Sequence, residues 1–489
     1  MIKNSLKTLV LLGSLAIGAG SIARAQDSGA LIDALVKKGI LNDQEAEDIR
    51  ADLGRDFATQ ASAGKLDIAS SITKLKISGD ARVRYQNDNE QSNPAAAAGD
   101  KDRNRYRYRI RFGVLADLGP KWSAGFRLET ASSATSTNAD LGGGTDNFDK
   151  TGDVVYFGQA YLNYRDADFL GADALDLRFG KLPHKFFNPG VNGFWIDSDI
   201  NFEGLAQELV YNDVGLKEST LSVRSGQFVL NNNAANSGAT SGVGTTISGN
   251  NTINTVGNTS VEPSLVLMVQ AEYATKKLKI APTLVAFVAP ADHDRAYSYT
   301  YATASTPAQI LTASQKAYSA AQANDTAVYN DLATVLLPFE YTMALGEKPI
   351  SFYATYGYNI FGDDRANRMA AGVAPVEADS NIYNLGVRYG ENKFAGDYQL
   401  AAEYRHIGNG SFSSLLLDSD FNGGLLNGEG FILSGVYCWT PAITSTVTYF
   451  NSFNIEKDRA DGSTSGSIID RGNGFGEAHV LQVDLSAKF

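Results

Sequence analysis

The last residues of the chain, His479-Val-Leu-Gln-Val-Asp-Leu-Ser-Ala-Lys-Phe489, decide the fold class. The odd-numbered positions are mostly apolar, and the even-numbered positions are mostly polar. An alternation with period 2 is typical of a β-strand with one face in an apolar environment and the other in water. The sequence therefore ends in an amphipathic strand, and the number of similar strands upstream determines the architecture.

The same alternation recurs along the chain. Tyr and aliphatic residues alternate with arginines over 105–114, and further alternating stretches lie at 122–129, 350–360, 383–389 and 398–405. Such faces suit lipid on one side and water on the other. Beyond Gln26 no stretch approaches the 18 continuous apolar residues of a helical membrane span, so the chain cannot cross a membrane with helices.

Sixteen strands emerge when the pattern is followed through the chain. We predict them at 76–86, 104–116, 121–131, 153–165, 173–181, 205–213, 217–228, 263–275, 277–289, 327–343, 349–360, 380–390, 395–407, 429–439, 442–454 and 477–489. Long and short connections alternate between them, and both chain ends lie on the side of the short ones. This arrangement predicts an all-β fold, a transmembrane antiparallel β-barrel, because a β-sandwich has no reason to place every long loop at one end.

The N-terminus has the features of a secretory signal peptide over residues 1–25. Lys3 and Lys7 precede an apolar stretch from Leu9 to Gly20, and Ala23-Arg24-Ala25 supplies a cleavage motif. We expect the mature chain to begin at Gln26. The sequence of residues 26–66 predicts two short helices in the periplasm. These helices either rest on the barrel rim, form a trimeric coiled coil or tether the barrel to the envelope. The barrel is expected over 67–489.

Composition excludes several classes of function. The net charge of −12 argues against nucleic-acid binding, and the single cysteine, Cys438, excludes an internal disulfide framework. His406, Ser411 and His184 are not accompanied by a G-x-S-x-G motif or a zinc-binding histidine pair. We therefore predict no enzymatic activity, no metal site and no cofactor.

Arginines form the most specific pattern in the sequence. They share the polar faces of the predicted first, second, third and fifth strands, at Arg82, Arg84, Arg105, Arg107, Arg109, Arg111, Arg127 and Arg178. An arginine facing lipid at the membrane midplane costs about 2–4 kcal/mol. The eight side chains are therefore predicted to line a water-filled pore, which a barrel of about 16 strands is wide enough to contain.

The connection over 182–204 differs from the other long connections because it is aromatic and apolar. Phe186, Phe187, Phe194 and Trp195 would be costly on an exposed tip, so we expect this segment to fold against the inner wall as a constriction loop. Its charged and titratable members are His184, Lys185, Asp197, Asp199 and Glu203. The acids are predicted to face the lumen opposite the arginines, and acids facing bases create a transverse field.

At this point the chain resembles the bacterial general porins and, more closely, the putative porins. The segments Phe179-Gly-Lys-Leu-Pro183 and Trp195-Ile-Asp-Ser-Asp-Ile-Asn-Phe-Glu-Gly-Leu205 are similar to the third-loop region of the putative porins, and the terminal Phe489 resembles the closing residue of outer-membrane barrels. The resemblance implies a homotrimer in the bacterial outer membrane, surrounded by lipid and lipopolysaccharide, that admits small hydrophilic solutes by passive diffusion.

Two alternatives remain at this stage. The arginines also resemble those of the phosphate-selective porins, which concentrate basic residues at the constriction, whereas this third loop is acidic. An anion- or phosphate-selective porin is thus one alternative. The other is a surface adhesin or envelope-tethering barrel that uses the long loops and the N-terminal helices.

Overall fold

The computed structural model describes residues 36–38, 44–49, 69–92, 100–131, 136–142, 154–231, 245–247, 251–256, 264–288, 296–300, 332–369, 377–455 and 475–489. The chain divides between Ser70 and Ser71 into two units. In the first unit, residues 44–49 are helical and lie in the segment 26–66, where two short helices are predicted. The predicted signal peptide lies outside the described residues, so it stays a prediction.

Sixteen strands form one antiparallel sheet within the described part of the second unit. They are β1 (Lys74–Ser92), β2 (Lys101–Asp117), β3 (Trp122–Ala131), β4 (Val154–Asp166), β5 (Ala174–Pro183), β6 (Asn201–Asn212), β7 (Thr220–Asn231), β8 (Ser264–Ala274), β9 (Leu278–Ile280 and Thr283–Val288), β10 (Ala333–Leu345), β11 (Lys348–Asn359), β12 (Asn381–Gly390), β13 (Tyr398–Ile407), β14 (Gly428–Thr440), β15 (Ile443–Asn454) and β16 (Phe475–Lys488). Each predicted strand overlaps one of these. The largest difference that affects the interior is that β6 begins at Asn201, four positions earlier than predicted.

The sheet closes on itself, because β16 pairs with β1 in a register that runs from Asp80↔Lys488 upwards. The terminal Phe489 completes this seam: its N–H donates to the carbonyl of Gly79 at 3.1 Å, and its carbonyl accepts from the N–H of Gly79 at 2.9 Å. A closed sheet has no unpaired edge and so satisfies its backbone groups without water. The predicted sixteen-stranded barrel is confirmed.

The two faces of the wall differ as the alternation predicts. Val83, Ile110 and Leu385 lie on the outer face and are 50–65% exposed, whereas Arg84 and Asn384 on the inner face are 5% and 2% exposed. The outer surface is apolar and suits hydrocarbon, and the inner surface is polar and charged. The strands that carry the predicted arginines therefore place these charged residues inside the barrel.

A few elements lie outside the sixteen strands. Thr245–Ile247, Asn251–Val256 and Ala296–Thr300 form a small antiparallel sheet from two neighbouring long connections, and Gly362–Met369 is a short helix after β11. A two-residue strand, Ala139–Asp140, pairs with Arg107 and Tyr108 of β2. None of the helices in the described residues is long and apolar enough to span a membrane.

Candidate functional site in the barrel interior

All eight predicted arginines lie on the inner face, where we call them the arginine wall. Arg84, Arg107, Arg109 and Arg178 are each under 9% exposed. Their position follows from the strand pleat, because they alternate with outward apolar residues such as Tyr106. The arginine wall extends over β1, β2, β3 and β5.

Each member of the arginine wall forms an ion pair with a carboxylate. The partners are Asp484 for Arg82 and Arg84, Asp88 for Arg105, Asp140 for Arg107, Asp80 and Asp199 for Arg109 and Arg111, Glu129 for Arg127, and Asp176 for Arg178. Most of these acids lie on barrel strands beside the arginines. The positive charge is therefore largely compensated on the wall itself, which the sequence pattern alone did not reveal.

The connection between β5 and β6, residues 184–200, folds into the barrel and is called loop 3 below. Its residues contact strands on several sides of the interior. The Phe187 N–H donates to Gln270 of β8 at 2.7 Å, and Asn384 of β12 donates to the Pro189 carbonyl at 3.0 Å. The apolar side chains Phe194, Trp195 and Ile196 are fully buried. The loop is thus held across the lumen, where its composition predicted it.

Asn188 fixes the internal shape of loop 3. Its Oδ1 accepts from the N–H groups of Phe194 and Trp195 at 2.9 and 3.0 Å, and its Nδ2 donates to the Ile196 carbonyl at 2.6 Å. Gly193 has φ of +85°, and a Cβ there would lie 2.4 Å from the Ile196 carbonyl oxygen. Side-chain hydrogen bonding and a glycine in the left-handed region together close this turn.

A buried ion pair on β13 anchors loop 3. The Arg405 guanidinium, 1% exposed, donates to Glu403 Oε1 at 2.8 Å and to the carbonyl oxygens of Val191 and Gly193. Glu403 Oε2 in turn accepts from the Val191 N–H at 2.6 Å. The pair replaces the water that these loop backbone groups would otherwise bind, and it ties loop 3 to the wall opposite β5.

The three predicted acids of the constriction loop have different environments. Asp199 lies against the arginine wall, 3.1 Å from Arg109 Nη1 and 3.2 Å from Arg111 Nη1. Burial alone would raise the pKa of the Asp199 carboxyl, but these two guanidinium groups hold its pKa below the ordinary value. Asp199 therefore contacts Arg109 and Arg111 directly and does not face them across an open lumen.

Glu203 is not part of the loop cluster. It belongs to β6, its side chain is 62% exposed, and it pairs with Lys181 at 3.2 Å. Because β6 begins at Asn201, the pleat places Glu203 on the outer face, while its neighbour Phe202 points into the core. The expectation that Glu203 faces the lumen does not fit this register.

His184 and Lys185 lie at the start of loop 3. Burial, together with the nearby Arg178, lowers the pKa of His184 to about 4, so this ring is neutral at physiological pH. Lys185 Nζ bonds Asp176 at 3.0 Å and Glu208 at 2.6 Å. Lys185 thus extends the network of paired charges along the inner wall.

A second inward-folded segment, residues 408–427 between β13 and β14, was missed by the sequence reasoning. This loop 7 buries Phe412, Leu416, Leu417 and Phe421 in the same apolar cluster that holds Trp195. The signal was present, since the segment contains two aromatic residues and several leucines, as did loop 3. Loop 7 is therefore a second apolar connection that folds inward, in addition to the predicted one over 182–204.

Loops 3 and 7 meet inside the barrel. The Asp197 N–H donates to the Leu416 carbonyl at 2.8 Å. Burial and the neighbouring Asp199 and Asp420 raise the pKa of Asp197 to about 6, and burial raises the pKa of Asp418 as well. The contact between the two loops therefore contains acids that favour the protonated form.

Within the described residues, no group of three or more His, Cys, Asp or Glu could hold a metal ion. Cys438 is a free, buried thiol on β14. The described interior of the barrel is lined by paired charges, amides and a buried apolar cluster.

Comparisons with known proteins give the following likenesses. The chain is similar to Pseudomonas putida OprB in its high-pH structure, with 12% identity over 85% of this chain and 94% of that chain and a TM-score of 0.44. It is similar to the Salmonella typhi OmpF complex with daunomycin, with 10% identity over 87% and 100% and a TM-score of 0.41. The outer membrane channel DcaP of Acinetobacter baumannii shows 12% identity over 87% and 99%, with a TM-score of 0.38. A search of the curated proteins returns no match.

The family comparison concerns the first part of the barrel. A family model described as putative porin matches residues 72–248, which contain β1 to β7, loop 3 and the whole arginine wall. Over residues 72–248 the chain matches the putative porin family, and the resemblance seen in its sequence is confirmed there.

Proposed function

We propose that the protein is a porin that lets small hydrophilic solutes and ions diffuse passively across the outer membrane. The observation that carries this proposal is the pairing of loop 3 with the arginine wall through Asp199, Arg109 and Arg111, inside a closed barrel. A loop held in the lumen by charged groups supplies a narrow, polar section. Solutes are driven through it by their concentration gradient alone.

The distribution of charge favours a general channel over a phosphate-selective one. Every member of the arginine wall has a carboxylate partner, as described above, so the wall does not present a row of uncompensated cations. A channel built to bind phosphate would need guanidinium groups free to form bidentate bonds with the anion. We therefore propose weak selectivity by charge and selection mainly by size.

Planar bilayer recording tests the proposal. Purified protein should insert in discrete conductance steps, in groups of three if it assembles as the homotrimer that the family resemblance implies. A well-folded preparation that inserts but gives no conductance steps would refute the channel and favour an adhesin or tether.

Charge variants test where the field lies. A unit charge about 8 Å from an ion path in water contributes about 0.2 kcal/mol in 0.1 M salt, with opposite sign for anions and cations. Asp199→Asn should therefore change the anion-to-cation permeability ratio by about twofold toward anions, and Arg109→Gln by a similar factor toward cations. Reversal potentials in a salt gradient measure both changes.

A matched control is Lys121→Gln, which removes one charge from an exposed pair with Asp166 in a short connection. It should leave the reversal potential unchanged. If Asp199→Asn and Arg109→Gln behave like this control in dilute salt, the narrow section does not lie at their contact.

A further inference from the structure

The outer wall carries polar side chains on β6 and β7 where hydrocarbon-facing positions are expected. Gln207 alternates with Glu208, whose carboxylate bonds Lys185 inside the barrel. Gln227 alternates with Phe228, whose ring stacks on Phe202 in the internal cluster. The strand pleat therefore directs both glutamines outward.

These side chains bond to one another. Gln207 Nε2 donates to Gln227 Oε1 at 2.8 Å, and Ser225 Oγ donates to Gln207 Oε1 at 2.5 Å. Further along the same face, Lys181 of β5 pairs with Glu203 of β6. We call these five residues the polar patch, and all of them lie on three consecutive strands.

With Tyr211 taken as an aromatic residue at the membrane interface, the centre of the polar patch lies near mid-height of the apolar belt. Gln207 precedes the aromatic Tyr211 by four residues, which is about 13 Å along the strand and about 10 Å of height for a strand tilted by roughly 40°. The apolar band of an outer-membrane barrel is about 25 Å tall. At the same level, Leu177 of β5 and Val269 of β8 flank the patch.

Lipid cannot satisfy the hydrogen-bonding groups of this surface. A glutamine amide has two N–H donors, and within the described residues each of Gln207 and Gln227 uses one donor on the other. In a bilayer, the second N–H of each amide would meet hydrocarbon, which has no acceptors, and this is unfavourable. A protein surface that offers acceptors would satisfy these groups.

We propose that the polar patch is the surface through which copies of this chain contact one another in the membrane. The patch holds a cation and an anion, and amide donors and acceptors, so a second copy presents complementary groups to it. Lys181 of one copy can pair with Glu203 of the next, and the free amide N–H groups find carbonyl oxygens. This inference rests on the proposed function, because only a membrane surrounds these positions with lipid.

Cysteine cross-linking tests the contact. Ser225→Cys is made in a Cys438→Ser background, and the matched control is Val447→Cys on the outer face of β15, at a comparable height on a distant part of the wall. With a short bismaleimide, the Ser225→Cys protein should give covalent dimers in high yield, because each chain carries one thiol, and the control should give at least fivefold less. Equal or greater cross-linking of the control, an oligomer that does not cross-link through position 225, or a monomeric mass in mild detergent would each overturn the proposal.

A double variant tests the contact between copies without disrupting the fold of each copy. Gln207→Leu with Gln227→Leu should fold, because leucine suits lipid, and should lower the oligomeric fraction severalfold on native electrophoresis. An unchanged fraction would overturn the interface. Conductance of the unsubstituted protein and of the cross-linked Ser225→Cys protein distinguishes the two proposals. Unsubstituted protein that conducts but is monomeric refutes only the interface, whereas cross-linked protein that does not conduct refutes only the channel.

Discussion

Replacing Arg405 by methionine should release loop 3 from the barrel wall. The Arg405 guanidinium is fully enclosed, bonds Glu403 at 2.8 Å and donates to two loop carbonyls, with Gly193 at 2.8 Å. Removing one partner of a buried ion pair costs about 3–5 kcal/mol, because the remaining charge stays buried without its counter-ion. Since the two carbonyl oxygens also lose their donor, we expect a loss of about 4 kcal/mol in the free energy of unfolding.

The double variant Glu403→Gln/Arg405→Met is the control. Glutamine at position 403 keeps an oxygen for the Val191 N–H but carries no charge, so the Glu403 charge that Arg405→Met leaves without its counter-ion disappears. We expect the double variant to be more stable than Arg405→Met alone, with a coupling energy of about 2 kcal/mol in the mutant cycle.

Urea unfolding in detergent, followed by the fluorescence of Trp195, measures the effect. Trp195 is fully buried in loop 3, whereas Trp122 and Trp439 are 45% and 58% exposed on the outer wall and can be replaced by phenylalanine. Arg405→Met should shift the Trp195 emission to longer wavelength before the barrel unfolds. A blue-shifted Trp195 and a loss of less than about 1 kcal/mol would refute the anchoring role, since breaking a buried pair costs several times more.

Three further predictions concern pH, assembly and topology. The pKa of Asp197 is raised to about 6, mainly by burial, so the protonated carboxyl favours the fold and its contribution is lost as pH rises from about 4 through 6. Asp197→Asn should therefore raise the free energy of unfolding at pH 7.5 by up to about 3 kcal/mol, seen as a higher urea midpoint, and leave it unchanged at pH 4; equal midpoints at pH 7.5 would contradict this. Phe489→Ala should reduce the heat-modifiable barrel in the membrane fraction, because the ring of Phe489 closes over Gly79 at the seam; normal membrane levels would count against it. An epitope inserted near Gly249, in a long connection rich in Asn, Gly, Ser and Thr, should be labelled on intact cells, whereas labelling only after permeabilisation would reverse the orientation.

The sequence alone determined which side chains of the predicted strands face the interior. Successive side chains in a strand point to opposite faces, so once Tyr106 and Ile110 are outward, Arg107 and Arg109 must be inward. The number of strands followed from the same local rule. Loop 3 was also predictable, because its aromatic residues are unfavourable on an exposed tip.

Only the tertiary structure decided which charges neutralise one another. Arg84 pairs with Asp484, and the two residues are 400 positions apart, because the closing of the barrel brings β16 beside β1. The pairing register between β5 and β6 likewise placed Glu203 on the outer face opposite Lys181. The course of loop 7 depended on the apolar cluster that receives Phe412. Partners far apart in the chain are set by pairing and packing across the whole barrel, whereas the facing of a side chain is set by its own strand.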